Sequence, residues 1–188
     1  MRYAQVRSMD ISNGEGIGVS LFVQGCPFNP HCYNCFNTET WDFNGGKEWT
    51  PEVEDKLIEL ANRPYIKRLS ILGGEPLADE NLDGILHLVN RFRLSFPNKS
   101  IWLYSGFRWE ECQPFNEDGL LKPDKFAPNL QKILHKRYEV ISMCNVMVDG
   151  RYIDSQRNPS KKWAGSDNQR VIDIRKSLEQ NKIILYCD

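Results

Sequence analysis

Three of the six cysteines fall within ten residues of one another, in the stretch GCPFNPHCYNCFN from Gly25 to Asn37. Five residues separate Cys26 from Cys32, and two separate Cys32 from Cys35. Thiolates so spaced can reach one metal centre from a single loop, which points to zinc or to an iron–sulfur cluster. A structural zinc site closes a tetrahedron with four ligands. This loop offers three thiolates and His31, whose position directly beside Cys32 makes the two side chains diverge. Cluster sites ordinarily take four cysteines as well. Three thiolates with no evident fourth suggest an iron left open to a small molecule, a reactive centre rather than a structural one.

A second stretch, RLSILGGEP from Arg68 to Pro76, is a short apolar strand that ends in two glycines and an acid. Glycine lets a backbone approach a ligand closely, although an isolated Gly-Gly pair reads equally well as a plain turn. A three-cysteine loop after one apolar strand, with GGEP after a later one, resembles the radical S-adenosylmethionine (SAM) superfamily. Within it, the chain is most similar to the activating proteins of anaerobic ribonucleotide reductase. The strings that carry the resemblance are NGEGIGVSLFVQGC (Asn13–Cys26), CFNTETWDF (Cys35–Phe43), LYSGF (Leu103–Phe107), VDGRYI (Val148–Ile153) and GSDNQRVID (Gly165–Asp173). They run nearly end to end. The family has three residues between its first two cysteines, so the five here read as a two-residue insertion. Even doubling a flexible loop costs only about 0.6 kcal/mol, and Pro27 and Pro30 restrict this one further. Whether His31 reaches the metal centre stays open.

The resemblance implies a [4Fe–4S] cluster held by Cys26, Cys32 and Cys35, with the fourth iron binding the amino and carboxylate groups of SAM. It implies that one electron splits the sulfonium bond, giving methionine and a 5′-deoxyadenosyl radical that abstracts a hydrogen atom. Gly73, Gly74 and Glu75 would meet the SAM amino group. Asn34 and Phe36 flank Cys35, with Phe36 placed to stack on adenine, and Ser105 would bond the SAM carboxylate or ribose. The rival readings are a core aromatic for Phe36 and a turn serine for Ser105. The implied substrate is a protein, the anaerobic ribonucleoside-triphosphate reductase, in which a glycine α-hydrogen is removed. An external low-potential donor such as flavodoxin would supply the electron, because the chain carries no second cysteine cluster. The alternatives are an activase of another glycyl radical enzyme, such as pyruvate formate-lyase, or a non-catalytic, metal-stapled binding module.

These residues need a scaffold, and 188 residues with 40% hydrophobic content allow a single domain with a sizeable core. A net charge of −1 argues against general nucleic-acid affinity. No apolar run approaches the ~18 residues of a membrane span, and the first residues lack an apolar signal region. The expected location is the cytoplasm, where clustered cysteines bind metals rather than form disulfides. Cys112, Cys144 and Cys187 read as small buried hydrophobes, and His87 and His135 as surface groups.

The hydrophobic pattern predicts strands at Tyr3–Ile11, Ile17–Val23, Ile66–Leu72, Ile101–Ser105 and Val140–Val148. Helices are expected from Thr50-Pro51 to about Asn62, from Asp79 to Phe96, and from Leu130 to about Tyr138. Short strands at Arg170–Ile174 and Ile183–Tyr186 would flank a helical turn. Alternating strands and helices predict an α/β fold with a largely parallel sheet. A closed (β/α) barrel needs ~250 residues, so the expectation is an open, partial barrel of the radical SAM type. Residues 1–188 would form one domain, with about 1–148 as core and about 149–188 as a C-terminal loop and capping segment. The polar, basic stretch Asp149–Gln169 reads as a solvated loop that covers part of the open side; the alternative is that Arg157, Lys161 or Lys162 helps dock the partner protein.

Overall fold

The computed structural model describes residues 1–114 and 129–187. In chain order the elements are β1 (Arg2–Asp10), β2 (Gly18–Val23), β3 (Lys47–Glu48), α1 (Pro51–Ala61), β4 (Arg68–Gly73), α2 (Asp79–Ser95), β5 (Ser100–Tyr104), α3 (Leu130–Ser142), β6 (Val146–Asp149), β7 (Arg170–Asp173) and α4 (Ile174–Gln180). The strands form one mixed sheet in the order β3-β1-β2-β4-β5-β6-β7. The four central strands, β2, β4, β5 and β6, run parallel. Both margins are antiparallel. The parallel expectation therefore holds in the middle of the sheet. β1 departs from it because the turn to β2 is far too short for the crossover that a parallel pair requires.

Residue parity divides the sheet into two unlike faces. Val19, Leu21 and Val23 of β2, Leu69 and Ile71 of β4, Ile101 and Leu103 of β5, Met147 of β6 and Ile172 of β7 all point to one side. All four helices bury their apolar stripes there, including Leu57 of α1, Ile85 and Phe92 of α2, Ile141 of α3 and Ile174 of α4. Each such side chain contributes roughly 1.5–3 kcal/mol on burial, so this face carries the stability of the domain. The opposite face is left free to hold polar and aromatic groups: Ser20 and Phe22, Arg68 and Ser70, Trp102 and Tyr104, Val146 and Val148. Trp163 and Ala164 of the C-terminal segment pack over part of it.

Two expected strands are corrected. Val140–Val148 is not one strand: Val140 to Ser142 form the last turn of α3, and β6 begins at Val146. The β-branched run suggests a strand locally, but Leu134 and Ile141 bury together at helical spacing against the helix-side core. Ile183–Tyr186 forms a single bridge, Leu185 to Ile172, rather than a strand. The start of α1 is as its sequence dictates: the Thr50 hydroxyl accepts the Val53 N–H, with Pro51 in the first turn.

Arg68 is fully buried on the polar face and is anchored from β1. Its Nη2 donates to the Asp10 carbonyl at 2.9 Å and to the Asp10 carboxylate at 3.1 Å. Ser70 accepts from Arg68 and donates to the Asn13 carbonyl at 2.5 Å. This network ties the 11–17 turn down onto the sheet. Burial acts to raise the Asp10 carboxyl, but bonds from Asn13, Ser12 and Arg68 outweigh it and hold it below its ordinary value.

Removing the Asp10 carboxylate leaves a buried, unpaired guanidinium. Asp10→Ala is expected to lower unfolding free energy by roughly 3–5 kcal/mol, read from urea midpoints. Because the folded-state value is depressed, the Asp10 contribution is present above 3.8 and disappears as pH falls through the lower folded value. The wild-type advantage over Asp10→Ala must therefore shrink in acid, and a difference that persists there would show that the carboxylate charge is not its source.

Candidate metal and cofactor site

The cysteine loop leaves the C-terminal end of β2 and is closed into a ring by residues 38–42. Gly25 N–H donates to the Thr40 carbonyl at 2.8 Å, and Cys26 N–H to the Trp41 carbonyl at 3.0 Å. The Gln24 side chain beneath them donates to the carbonyls of Glu39 and Asp42. Inside the ring, Cys35 N–H bonds the Cys32 carbonyl at 3.2 Å, and the Cys35 sulfur accepts the Asn37 N–H at 3.5 Å. Asn34 takes a left-handed conformation, φ 54°, that turns the chain between the last two cysteines. The His31 ring stacks on Trp41 with centroids 4.1 Å apart, so its faces serve packing.

Cys26, Cys32 and Cys35 are half-buried and line one cavity of about 550 Å³. That size suits a small-molecule ligand. Among the described residues no three His, Cys, Asp or Glu side chains converge as they would on a single ion. A four-iron cluster takes one thiolate per iron, so its ligands stand apart. The Cys26 thiol is pushed up to about 11, chiefly by burial and further by the facing Glu75, Cys32 and Cys35. Thiols that repel one another's ionised forms in this way are relieved by a cation, and soft thiolates suit iron. Three soft thiolates on the wall of one cavity fit a cluster in donor chemistry.

The GGE turn at the end of β4 lies directly against the start of this loop. Gly74 N–H donates to the Val23 carbonyl at 3.0 Å and Glu75 N–H to the Gly25 carbonyl at 2.7 Å. A Cβ on Gly74 would stand 2.2 Å from the Gly25 oxygen, so only glycine permits the approach. Gly73, at φ 109°, is equally close to the Val23 backbone. The glycines thus join two backbones, and both also line the cavity.

Glu75 is buried and its carboxylate is gripped from β5. Oε1 accepts the Leu77 N–H at 2.9 Å and the Ser105 hydroxyl at 2.8 Å, and Oε2 accepts the Gly106 N–H at 2.7 Å. Three of the roughly four acceptor positions of a carboxylate are used. Burial pushes the carboxyl up to about 7, against those three bonds and the Arg137 guanidinium, which favour the anion.

Cys26, Cys32, Cys35, Phe36, Gly73, Gly74, Glu75 and Ser105 all line the one cavity. Ser105 spends its hydroxyl on Glu75 while accepting the Phe107 N–H at 3.0 Å, so it orients the acid. Phe36 is 62% exposed and its ring lies 4.9 Å from Tyr152. Asn34 is exposed and stands outside the cavity wall, where Asn37 lines it instead. Cys112 and Cys144 are buried as expected, whereas Cys187 is half-buried beside the Trp102 cluster.

The sequence reading missed the far wall: Tyr104, Arg151, Tyr152, Trp163 and Gln169. Their signal was present in the quoted strings LYSGF, VDGRYI and GSDNQRVID, although Trp163 lies just ahead of the last. Gln169 staples the segment, accepting N–H groups of Gly165 and Ser166 and donating to the Gly150 carbonyl. Arg170 grips Asp149 and, through two nitrogens, Glu110. The 149–169 segment is therefore bound to the body of the domain and forms part of the site.

Residues 12–172 match the model of a family described as a 4Fe-4S single cluster domain. Anaerobic ribonucleoside-triphosphate reductase-activating proteins from Salmonella typhi and Escherichia coli (strain K12) are each 36% identical over 177 residues, covering 93% of this chain and all of theirs. The protein of that name from Enterobacteria phage T4 is 32% identical over 172 residues, covering 91% of this chain and 93% of its own. With its three cysteines and GGE turn gathered around one cavity, the chain belongs to the family of anaerobic ribonucleoside-triphosphate reductase-activating proteins.

Proposed function

We propose that the chain is a radical SAM activase of an anaerobic ribonucleoside-triphosphate reductase, built on the open, partial barrel of that superfamily. The observation that carries this reading is the meeting of the cysteine loop and the GGE turn at one cavity, at the C-terminal ends of adjacent parallel strands. α/β folds place their ligands at such ends. Cys26, Cys32 and Cys35 would hold a [4Fe–4S] cluster there and Gly73, Gly74 and Glu75 would hold SAM, which together would supply the radical chemistry for removing a glycine α-hydrogen of the reductase.

The chain's own residues bind, orient and shield. Cys26, Cys32 and Cys35 ligate three irons. Glu75, fixed by Ser105, Gly106 and Leu77, has acceptor capacity left for an N–H of the SAM amino group beside Gly73 and Gly74. Phe36 and Tyr152 offer aromatic faces to adenine. The 150–165 wall limits water at the radical. Exposed Phe36 borders a second hollow lined by Arg157 and Pro159, which suits contact with a protein surface. Lys161 is engaged with the Asp167 carbonyl, which leaves Arg157 and Lys162 as the better docking cations. Cys112 and Cys144 lie buried in the helix-side core, so the electron is assigned to an external low-potential donor such as flavodoxin. No helix among the described residues is long and apolar enough to cross a membrane, in keeping with work in the cytoplasm.

Anaerobic reconstitution with iron and sulfide, followed by electron paramagnetic resonance with and without SAM, tests this directly. A reduced-cluster signal that shifts with SAM is expected, and it should be lost in Cys26→Ala, Cys32→Ala and Cys35→Ala alike. Zinc uptake, or a cluster indifferent to SAM, would sink the activase reading. A glycyl radical on added reductase identifies the partner.

SAM affinity should also report the Glu75 proton. An amino N–H of SAM bonds best to the ionised carboxylate, which predominates above about 7. Affinity is therefore expected to rise with pH and level off, over about pH 6 to 8. Glu75→Gln should bind more weakly and lose that rising limb. An identical pH profile in the variant would remove Glu75 from the SAM site.

A further inference from the structure

The insertion between Cys26 and Cys32 has a partner. Phe28 lies 4.9 Å from the ring of Phe107, tilted by 55°. The guanidinium of Arg151 stands 4.9 Å from the centre of the Phe28 ring, and its Nη2 donates to the Pro30 carbonyl. Phe107 in turn lies 3.9 Å from the guanidinium of Arg137 in α3. Arg137 donates through Nε to the carbonyl of Leu77 at 2.9 Å, just beyond the GGEP turn. A cation–ring–ring–cation column thus runs from the C-terminal wall, through the cysteine loop, to α3. Gly106 makes room for it, since a Cβ there would stand 2.3 Å from the Phe28 ring. Gly106 is also the residue whose N–H holds Glu75.

We propose that Arg151 and Phe28 form a clasp that positions the cysteine loop against the C-terminal wall of the cavity. The loop's extra length lets it reach that wall. Each contact suits the role. Arginine offers a planar face to an aromatic ring and an edge N–H to a carbonyl at the same time. Phe28 and Pro30 lie in the arc between the first two thiols, so holding them fixes the separation of those thiols. Arg151 is a positioning residue: it acts on the thiols through Phe28 and Pro30. The inference goes beyond the activase reading and rests on it only for what the loop holds.

The clasp is testable in the metal-free chain, independently of any cluster. Alkylation of each cysteine by iodoacetamide is followed by mass spectrometry in wild type and Arg151→Ala. Freeing the loop is expected to speed modification of Cys26, Cys32 and Cys35 by about three- to tenfold, the equivalent of one cation–ring contact. Buried Cys112 and Cys144 report global loosening and should not change. Arg151→Lys, which keeps the charge but not the planar fork, should fall between the two. Phe28→Leu should accelerate the loop thiols as well, and combining it with Arg151→Ala should add less than the two effects separately. Unchanged loop rates, rates that rise together with the core thiols, or full additivity would each overturn the clasp. If the clasp holds but the reconstituted protein ignores SAM, the activase reading fails alone.

Discussion

The structure depends on one backbone contact, Glu75 N–H to the Gly25 carbonyl at 2.7 Å. It joins the residue before the first cysteine to the acid of the GGE turn. The parallel pairing of β2 with β4 ends at Val23 opposite Gly73, and this bond extends the pairing past the sheet into the two loops. It forms only because Gly74 lacks a Cβ that would collide with the Gly25 oxygen. Everything chemical is then arranged around it. The thiols hang from one side of the contact and the carboxylate from the other. Gly74 N–H to the Val23 carbonyl and the Asn81 amide, which donates to the carbonyls of both Gln24 and Glu75, reinforce the junction.

Glu75 carries the same organisation to the next strand. Its carboxylate collects the Ser105 hydroxyl and the Gly106 N–H from the end of β5. The ends of β2, β4 and β5 are therefore laced together by one residue, through its N–H on one side and its carboxylate on the other. The division of labour between the sheet faces makes this affordable. The helix side contributes the apolar burial, so the opposite side can keep Arg68, Ser20, Ser70 and Tyr104 among its buried or half-buried groups. Buried polar groups are tolerated where they are bonded, and the Asp10–Arg68–Ser70–Asn13 network satisfies most of its members, whereas the Ser20 and Tyr104 hydroxyls find no hydrogen-bond partner among the described residues.

Much of this was legible in the sequence, for physical reasons that can be named. The cysteine spacing, the GGEP turn and the apolar strands that precede them are local features, and the structure keeps them where they were read. Gly73 and Gly74 read in the sequence as ligand contacts; in the structure they are backbone joints, a role that becomes visible only when both strands are placed. Ser105 reads in the sequence as either a SAM contact or a turn serine. In the structure its hydroxyl donates to Glu75, 30 positions earlier, a pairing visible only once β5 is placed beside β4. The strand expected at Val140 failed because local β propensity lost to burial of Leu134 and Ile141 on one helical stripe. The wall contributed by Asp149–Gln169 was missed because that segment is mostly polar and its few apolar residues, such as Tyr152 and Trp163, follow no hydrophobic period. Its order comes from side-chain staples such as Gln169 and Arg170 rather than from a hydrophobic period.

Charge explains why the thiols and the acid belong together. Cys26 is raised to about 11 by burial and by facing Glu75 and two further thiols, and Glu75 is raised to about 7 by burial. At neutral pH such a cavity holds protons that its own neighbours make hard to lose. Metal ligation by a thiol requires its proton to leave, so a metal centre has to supply what burial and the facing acid withhold at Cys26. Negative charge on Glu75 opposes ionisation of Cys26. The bonds that Glu75 accepts from Leu77, Ser105 and Gly106 favour its own anion against burial. The Gly25–Glu75 contact holds the thiol and the acid close enough for the charge on one to be felt by the other.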